Sequence, residues 1–294
     1  MMPVDINTRF ITLLGKPLSQ SFAARMQNAA YRAMGLNLIY FYSEVDNYGL
    51  EAAVKGIRNL PFIGFAVTKP NKVEVLQYLD ELDPLCDKMH ACNTVSIVNG
   101  KLIGYNTDGV GFYESLVKET SIKSPRGKTF FCSGAGGAGR AMCCVLAYNG
   151  AEKIYVTDLF EDGAKELVCD INNHFAKVAE YVPNPNSAEA MEIAHNADVL
   201  LNATGLGMHK TIDKTPFPQK IIRKEQVCFD ATYNPSETLF LKQAKEVGCE
   251  TLNGLGMSLY QGGAQIKIWT NLEAPIDVMH QELMDILAGK PEKA

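Results

Sequence analysis

The stretch "CSGAGGAGRA" (132–141) limits what this chain can fold into more than any other. Gly134, Gly136 and Gly139 satisfy G-x-G-x-x-G, after a short apolar run, "TFFCS", and before a helix-like segment, "GRAMCCVLAYNG". In that setting each glycine serves a separate need, since one permits the tight turn, another lets backbone approach a pyrophosphate, and the last lets helix and strand pack closely. The helix N-terminus then offers N–H groups to anionic oxygen. A glycine-rich turn without a ligand has the same spacing, but its placement between strand and helix favours phosphate. Gly134, Ala135, Gly136, Gly137 and Ala138 are the expected cofactor-loop residues.

The surrounding rhythm agrees. Short apolar runs alternate with amphipathic stretches: "FITLLG" then "SFAARMQNAAYRAMG", "LIYFYSEV" then "YGLEAAVKGIRNL", "FIGFAV" then "NKVEVLQYLDEL". Strand and helix in alternation imply a parallel sheet covered on both faces. "NTVSIVNGKLIGYN" interrupts it, and Asn99-Gly100 predicts a tight hairpin. "GVGFYESLVKETS" reads as a helix. A basic, proline-containing linker, "IKSPRGK", follows, and the rhythm restarts in five strand candidates: "KTFFCSG", "KIYVTD", "AKVAEYV", "ADVLLNAT" and "QVCFDAT". That series is the pattern of a doubly wound nucleotide fold. The tail from "GMSLYQGGAQIKIWT" reads as helical and could pack back on the first domain. The expected fold class is therefore α/β in two domains: an N-terminal α/β substrate domain with a mostly parallel sheet, residues 1–108 and 258–294, plus a Rossmann-type dinucleotide-binding domain, residues 109–257.

About twenty residues past the loop, "KIYVTD" ends in Asp158, where such folds place the carboxylate that accepts from the ribose hydroxyls. Asp158 would repel a 2′-phosphate, and the next residues, Leu159 and Phe160, bring no cation. The expected cofactor is NAD, with NADP disfavoured; Asp158 as a simple helix cap is the alternative. "NATGLGM" (202–208) and "NGLGM" (253–257) lie after strand candidates, so Thr204, Gly254 and Met257 are expected to line the same crevice.

Composition narrows the partners. The chain has 294 residues, a net charge of -5 and no basic stripe, which argues against nucleic acid and for a small molecule. Its eight cysteines show no C-x-x-C or metal spacing and read as reduced thiols. No metal site is expected. With no basic segment followed by an apolar run at the N-terminus and no long apolar stretch, a soluble, cytoplasmic protein is expected.

Polar residues bunch at strand ends of the first domain in "GKPLSQS", "VTKPNK", "ACNT" and "GYNTDG". Together with "GAGGAGRA", "NATGLGM", "TYNPSETLFLKQAKEVG" and "NGLGMSLYQGG", in register over nearly the whole chain, these segments resemble the shikimate dehydrogenase family, including its quinate/shikimate branch. The resemblance implies an oxidoreductase of the shikimate pathway in which the cleft between the domains holds a cyclohexane or cyclohexene polyol carboxylate beside the nicotinamide. It implies Lys72 as the acid/base and Asp108 as its orienting partner. Ser21, Thr68, Asn93, Tyr233 and Gln261 match positions that bind ring hydroxyls or carboxylate. The chemistry agrees, because oxidising a secondary alcohol by hydride transfer needs a base for the hydroxyl proton. Amides and hydroxyls suit a polyol, since each can donate and accept.

One segment departs from the family. The carboxylate-binding stretch usually carries His, Ser and a second Ser followed by Pro, whereas this chain reads "SQSFAAR", with Ala23 and Ala24. One hydroxyl donor is absent, worth about 1.5–3 kcal/mol for a charge-assisted bond. Either Ser19, Gln20 or Arg25 compensates, or the acid group is presented differently. The expected reaction is reversible hydride transfer between shikimate or quinate and the cofactor. The alternatives are dehydrogenation of a related ring acid such as aminoshikimate, or a catalytically weak nucleotide-binding relative. Monomer and homodimer are both compatible with the family.

Overall fold

The computed structural model describes residues 4–19 and 21–291. The chain divides into two compact units, Met1–Thr107 with Leu259–Ala294, and Asp108–Ser258. The linker 122–128 therefore lies inside the second unit. Among the described residues no helix is long and apolar enough to cross a membrane.

The first unit runs β1 (Arg9–Gly15), α1 (Ala23–Ala33), β2 (Leu38–Glu44), α2 (Asn47–Arg58), β3 (Phe62–Val67), β4 (Glu81–Leu82), α3 (Pro84–Met89), β5 (Thr94–Val98) and β6 (Lys101–Tyr105). Its sheet has the order β2-β1-β3-β5-β6-β4. β1 is parallel to β2 and β3, whereas β5 runs antiparallel to β3 and β6. The β5–β6 hairpin turns at Asn99 (φ 51°) and Gly100 (φ 78°), the two left-handed conformations that a two-residue turn needs. α2 buries Leu50, Val54 and Ile57, one face at helical spacing, against Leu14, Phe65, Val67 and Val95. Burial of each such side chain contributes about 1.5–3 kcal/mol.

"NKVEVLQYLDEL" departs from its helical reading: a 3₁₀ turn at Glu74–Tyr78 gives way to β4. Asp80 explains the stop. Its backbone N–H donates to the Leu102 carbonyl at 2.9 Å, and its carboxylate accepts from Leu102 N–H at 2.7 Å and from Arg58 at 2.9 Å. These long-range bonds draw the chain alongside β6, which local helix propensity does not anticipate.

The second unit contains α4 (Thr107–Glu119), whose first residue belongs to the other unit, then β7 (Thr129–Ser133), α5 (Gly137–Tyr148), β8 (Lys153–Thr157), α6 (Glu161–His174), β9 (Ala179–Tyr181), α7 (Ala188–Asn196), β10 (Val199–Asn202), β11 (Val227–Asp230), α8 (Leu239–Val247) and β12 (Glu250–Leu252). The sheet is wholly parallel, in the order β12-β11-β10-β7-β8-β9. The strand order reverses between β7 and β10, where a doubly wound fold opens its binding crevice. Central strands buried on both faces account for the apolar runs Phe130–Cys132 and Val199–Leu201. The sixth strand, β12, is not legible as one in the sequence because three residues show too little alternation to be recognised. Local signals still set its start: Thr238 caps α8, and Gly248 at φ +96° ends it before β12.

Two further helices, α9 (Gly254–Thr270) and α10 (Ile276–Leu287), complete the chain. From Leu259 onward they belong to the first unit. Trp269 of α9 is buried and donates its indole N–H to the Val95 carbonyl at 2.9 Å. Gly64 makes room for it, since a Cβ there would run into the Trp269 ring and the Val95 carbonyl.

Candidate active site

In the first unit, parallel β1 and β3 send out adjacent loops at their carboxyl ends. The β1 loop is tied to the β3 loop: Thr68 N–H donates to the Leu14 carbonyl at 2.9 Å, and Lys16 N–H to the Lys69 carbonyl at 2.9 Å. Gly15 is needed at this approach, because a Cβ would collide with Thr68 Cγ2 and stand 2.8 Å from the Lys69 carbonyl. Both Lys16-Pro17 and Lys69-Pro70 are cis. Lys72 follows in the same turn, half-buried, and its carbonyl accepts from Cys92 N–H at 2.8 Å. That bond carries the turn of the proposed base to the residue next to Asn93.

Asn93 is buried within a compact polar cluster. Its Oδ1 accepts from Thr107 N–H at 2.8 Å and from Thr94 Oγ1 at 2.8 Å, and its Nδ2 donates to Thr107 Oγ1 at 2.9 Å. Thr107 Oγ1 is 3.5 Å from Gln261 Oε1, so Asn93, Thr107 and Gln261 form one group. Sequence reasoning missed Thr107. Its signal was its place just before Asp108, at the start of α4, where a hydroxyl can face the same side as the next turn. Asp108 is half-buried in the first turn of α4.

The segment around Ser21 is fastened to β2. Ser21 Oγ lies 3.4 Å from Ala23 N–H, and Tyr42 fastens the segment by donating to the Ser21 carbonyl at 2.8 Å and accepting from Ala24 N–H at 3.0 Å. Arg25 does not compensate for the absent hydroxyl. Its guanidinium donates to Glu282 Oε1 at 2.6 Å and to the Lys290 carbonyl at 2.7 Å, fastening α1 to α10 and the residues after it. Gln20 lies outside the described residues.

The second unit gathers its loops at the carboxyl ends of β7, β8, β10 and β11. Gly134 has φ +107°, and a Cβ there would stand 2.6 Å from the Ala203 backbone. Gly139 lies against the Gly134 carbonyl, where no side chain fits. Gly136 and Gly137, in contrast, face open space. α5 begins beside them with glycine as its N-cap and no side chain capping its first turn. A pyrophosphate has both room and an oriented helix terminus there, so the loop fits a nicotinamide dinucleotide. Gly136, Gly137 and Ala138 would hold it.

Asp158 ties this loop in place. Its Oδ2 accepts from Ala135 N–H at 2.7 Å, and its Oδ1 from Phe160 N–H at 2.8 Å. Leu159 and Phe160 beyond it are exposed. Thr204, after β10, is held by Asn202, whose Oδ1 accepts from the Thr204 hydroxyl at 2.7 Å. Asp230, at the end of β11, is fully buried and was not foreseen. It accepts from Asn202 Nδ2 at 2.8 Å, Thr238 Oγ1 at 2.7 Å and Thr232 N–H at 2.9 Å. Burial raises its pKa despite these donors. One carboxylate thus joins the Thr204 loop, the turn leading to Tyr233 and the cap of α8. Tyr233 is half-buried, and burial raises its hydroxyl pKa. Gly254 packs against the Ala231 carbonyl too closely for a side chain, and Met257 lies in the first turn of α9.

Residues 13–95 match the model of the shikimate dehydrogenase substrate binding domain, and residues 254–284 that of the shikimate 5'-dehydrogenase C-terminal domain. The chain is 37% identical over 285 residues to a shikimate dehydrogenase (NADP(+)) of Methanococcus aeolicus, covering 97% of this chain and 100% of that one. It is 39% identical over 281 residues to a shikimate dehydrogenase (NADP(+)) of Desulforamulus reducens, covering 95% and 96%. Among solved structures, shikimate 5-dehydrogenase from Listeria monocytogenes in complex with shikimate and NAD superposes with a TM-score of 0.92 at 33% identity, covering 96% and 99%. The names of the curated relatives point to NADP and overturn the expectation of NAD. Asp158, on which that expectation rested, also ties the loop, since each of its oxygens accepts a backbone N–H.

Proposed function

Because the chain belongs to the shikimate dehydrogenase family, we propose that it is an NADP-dependent oxidoreductase that oxidises a ring hydroxyl of shikimate to the ketone and runs the reverse reduction. The observation that carries this reading is the Asn93–Thr107–Gln261 cluster, in which Asn93 and Thr107 are buried, joined through the Lys72 carbonyl and Cys92 to the turn that bears Lys72. Such a group of amides and hydroxyls suits vicinal ring hydroxyls.

Lys72 Nζ takes the hydroxyl proton as the carbon-bound hydrogen departs with its electron pair, and returns the proton in the reverse direction. Asp108 orients Lys72 and the hydroxyl. Thr68, Asn93 and Gln261 hold the ring, with Tyr233 and Ser21 at its carboxylate. When bound, the nicotinamide supplies the hydride acceptor. Gly134, Ala135, Gly136, Gly137 and Ala138 seat its pyrophosphate, with Asp158 keeping that loop in shape and Thr204, Gly254 and Met257 lining its path.

A second reading, quinate or a related ring acid, is favoured by Ala23 and Ala24, where no side-chain donor meets a carboxylate. Initial rates with shikimate and quinate, each with NADP and NAD, test both. Turnover of shikimate with NADP is the expected result. Quinate turnover alone would transfer the proposal to the second reading, and silence in all four combinations would refute both.

A further inference from the structure

Behind Asn93 runs a line of side-chain amides that no step of the hydride chemistry requires. Gln27 of α1 and Gln265 of α9 are both buried, at 0% and 3% exposure. Gln27 Nε2 donates to the Gly262 carbonyl and to Gln265 Oε1, each at 3.1 Å. Gln265 Nε2 donates to Thr94 Oγ1 at 3.0 Å, and Thr94 donates onward to Asn93 Oδ1 at 2.8 Å. Gly262 brings the two helices close enough for this, since a Cβ there would press on Met26 Cε at 2.5 Å and stand 3.5 Å from Gln27 Nε2.

The direction of the line is fixed from both ends. A backbone carbonyl only accepts and a backbone N–H only donates. The Gly262 carbonyl therefore turns the Gln27 amide nitrogen toward α9. Gln265 must answer with its oxygen, which leaves its nitrogen facing Thr94. The Thr94 hydroxyl accepts there and sends its own proton to Asn93 Oδ1. At the far end the Thr107 N–H requires an oxygen at the same place. The two demands agree, so reversing the Asn93 amide would break bonds on both sides. Gln27 keeps its orientation although its own Oε1 is buried without a partner, an unfavourable arrangement that a packing residue of similar size would avoid.

We infer that Gln27 and Gln265 are positioning residues for recognition of the ring: through Thr94 they reinforce the orientation that the Thr107 N–H sets for the Asn93 amide, and so help to hold the same atom toward a ring hydroxyl. The inference rests on the proposed function, in which Asn93 touches that hydroxyl.

Steady-state kinetics of Gln265→Met, Gln27→Met and the double variant test it, with shikimate and NADP as substrates. With one of its two holds gone, the Asn93 amide is less well ordered, and KM for shikimate rises up to about tenfold in Gln265→Met, the equivalent of one neutral hydrogen bond. The kcat changes far less, because the lost contact serves bound substrate and transition state alike. The double variant is no worse than Gln265→Met, since both cut one line. Thr94→Val reproduces the effect and Thr94→Ser, which keeps the hydroxyl, rescues it; this pair carries the test if Gln265→Met does not fold. A merely structural role would lower Tm and leave the KM of the folded enzyme unmoved. An active wild type with unchanged KM in Gln265→Met and Thr94→Val overturns the inference alone. A wild type that does not turn over shikimate overturns the proposed function and this inference together.

Discussion

Asn202 Nδ2 donates to Asp230 Oδ2 at 2.8 Å, linking the carboxyl ends of two neighbouring strands in the second unit. The carboxylate that receives this bond is wholly buried and accepts from three groups at once. Its loss would release the Thr204 loop and the turn before Tyr233 together.

Asp230→Asn places an amide nitrogen against donors and leaves part of the set unpaired. A stability loss of about 1–3 kcal/mol follows, together with weaker dinucleotide binding. The pH dependence has a definite sign. Burial raises the folded pKa above the ordinary 3.8, so the folded state holds the proton more tightly than the unfolded chain. The corresponding stabilisation is complete below the unfolded pKa and is lost as pH rises through the folded one. Urea denaturation at neutral and mildly acidic pH should therefore show a larger gap between wild type and variant on the acid side; a gap that narrows with acidification would refute the assignment.

Gly139→Ala drives a methyl into the Gly134 carbonyl, a backbone atom that has no easy way to yield. Overpacking of this kind costs about 1–3 kcal/mol. Both Tm and affinity for NADP should fall, with the shikimate site unaffected in direct binding measurements.

Asp158→Ala discriminates between a loop tie and a ribose reader. Removal of a tie weakens NADP and NAD by similar factors, because both share the pyrophosphate loop. The ratio of kcat/KM for the two dinucleotides should stay close to that of wild type. A large swing in that ratio would show the carboxylate reading the ribose after all.

Lys72→Met removes the proposed proton acceptor. General acid–base groups contribute about 10²–10⁴ in rate, and a loss of kcat in that range is expected while NADP titrated by fluorescence binds as before. Retention of near-normal kcat would give the proton to another group.

The fold was legible wherever pattern and chemistry coincide within a short window. The glycine loop follows β7 because "TFFCS" is apolar on both faces, and Asn99-Gly100 turns the β5–β6 hairpin because both residues tolerate positive φ. What escaped depends on distant partners. Asp80 halts a helix through bonds to β6 and Arg58, and no local periodicity records them. Asp230 in "QVCFDAT" resembles any strand-end carboxylate until Asn202 and Thr238, remote in sequence, converge on it. Asp158 is a related case: residue type at a spacing gives a location, while its bonds to Ala135 N–H and Phe160 N–H, which tie the loop, show only in the fold. Arg25 reads from sequence as available for a substrate carboxylate, yet Glu282, far along the chain, holds it.

Trp269 is the chain's one tryptophan, and it is buried in the first unit with its N–H on the Val95 carbonyl. Indole emission from the unmodified chain is thus an optical probe of that unit alone, whereas far-ultraviolet dichroism sees helices and strands of both. A single denaturant series read by the two signals would separate melting of the first unit from that of the second, with no label introduced. Coincident curves would mean that the halves unfold cooperatively; displaced curves would resolve a separate stability for each.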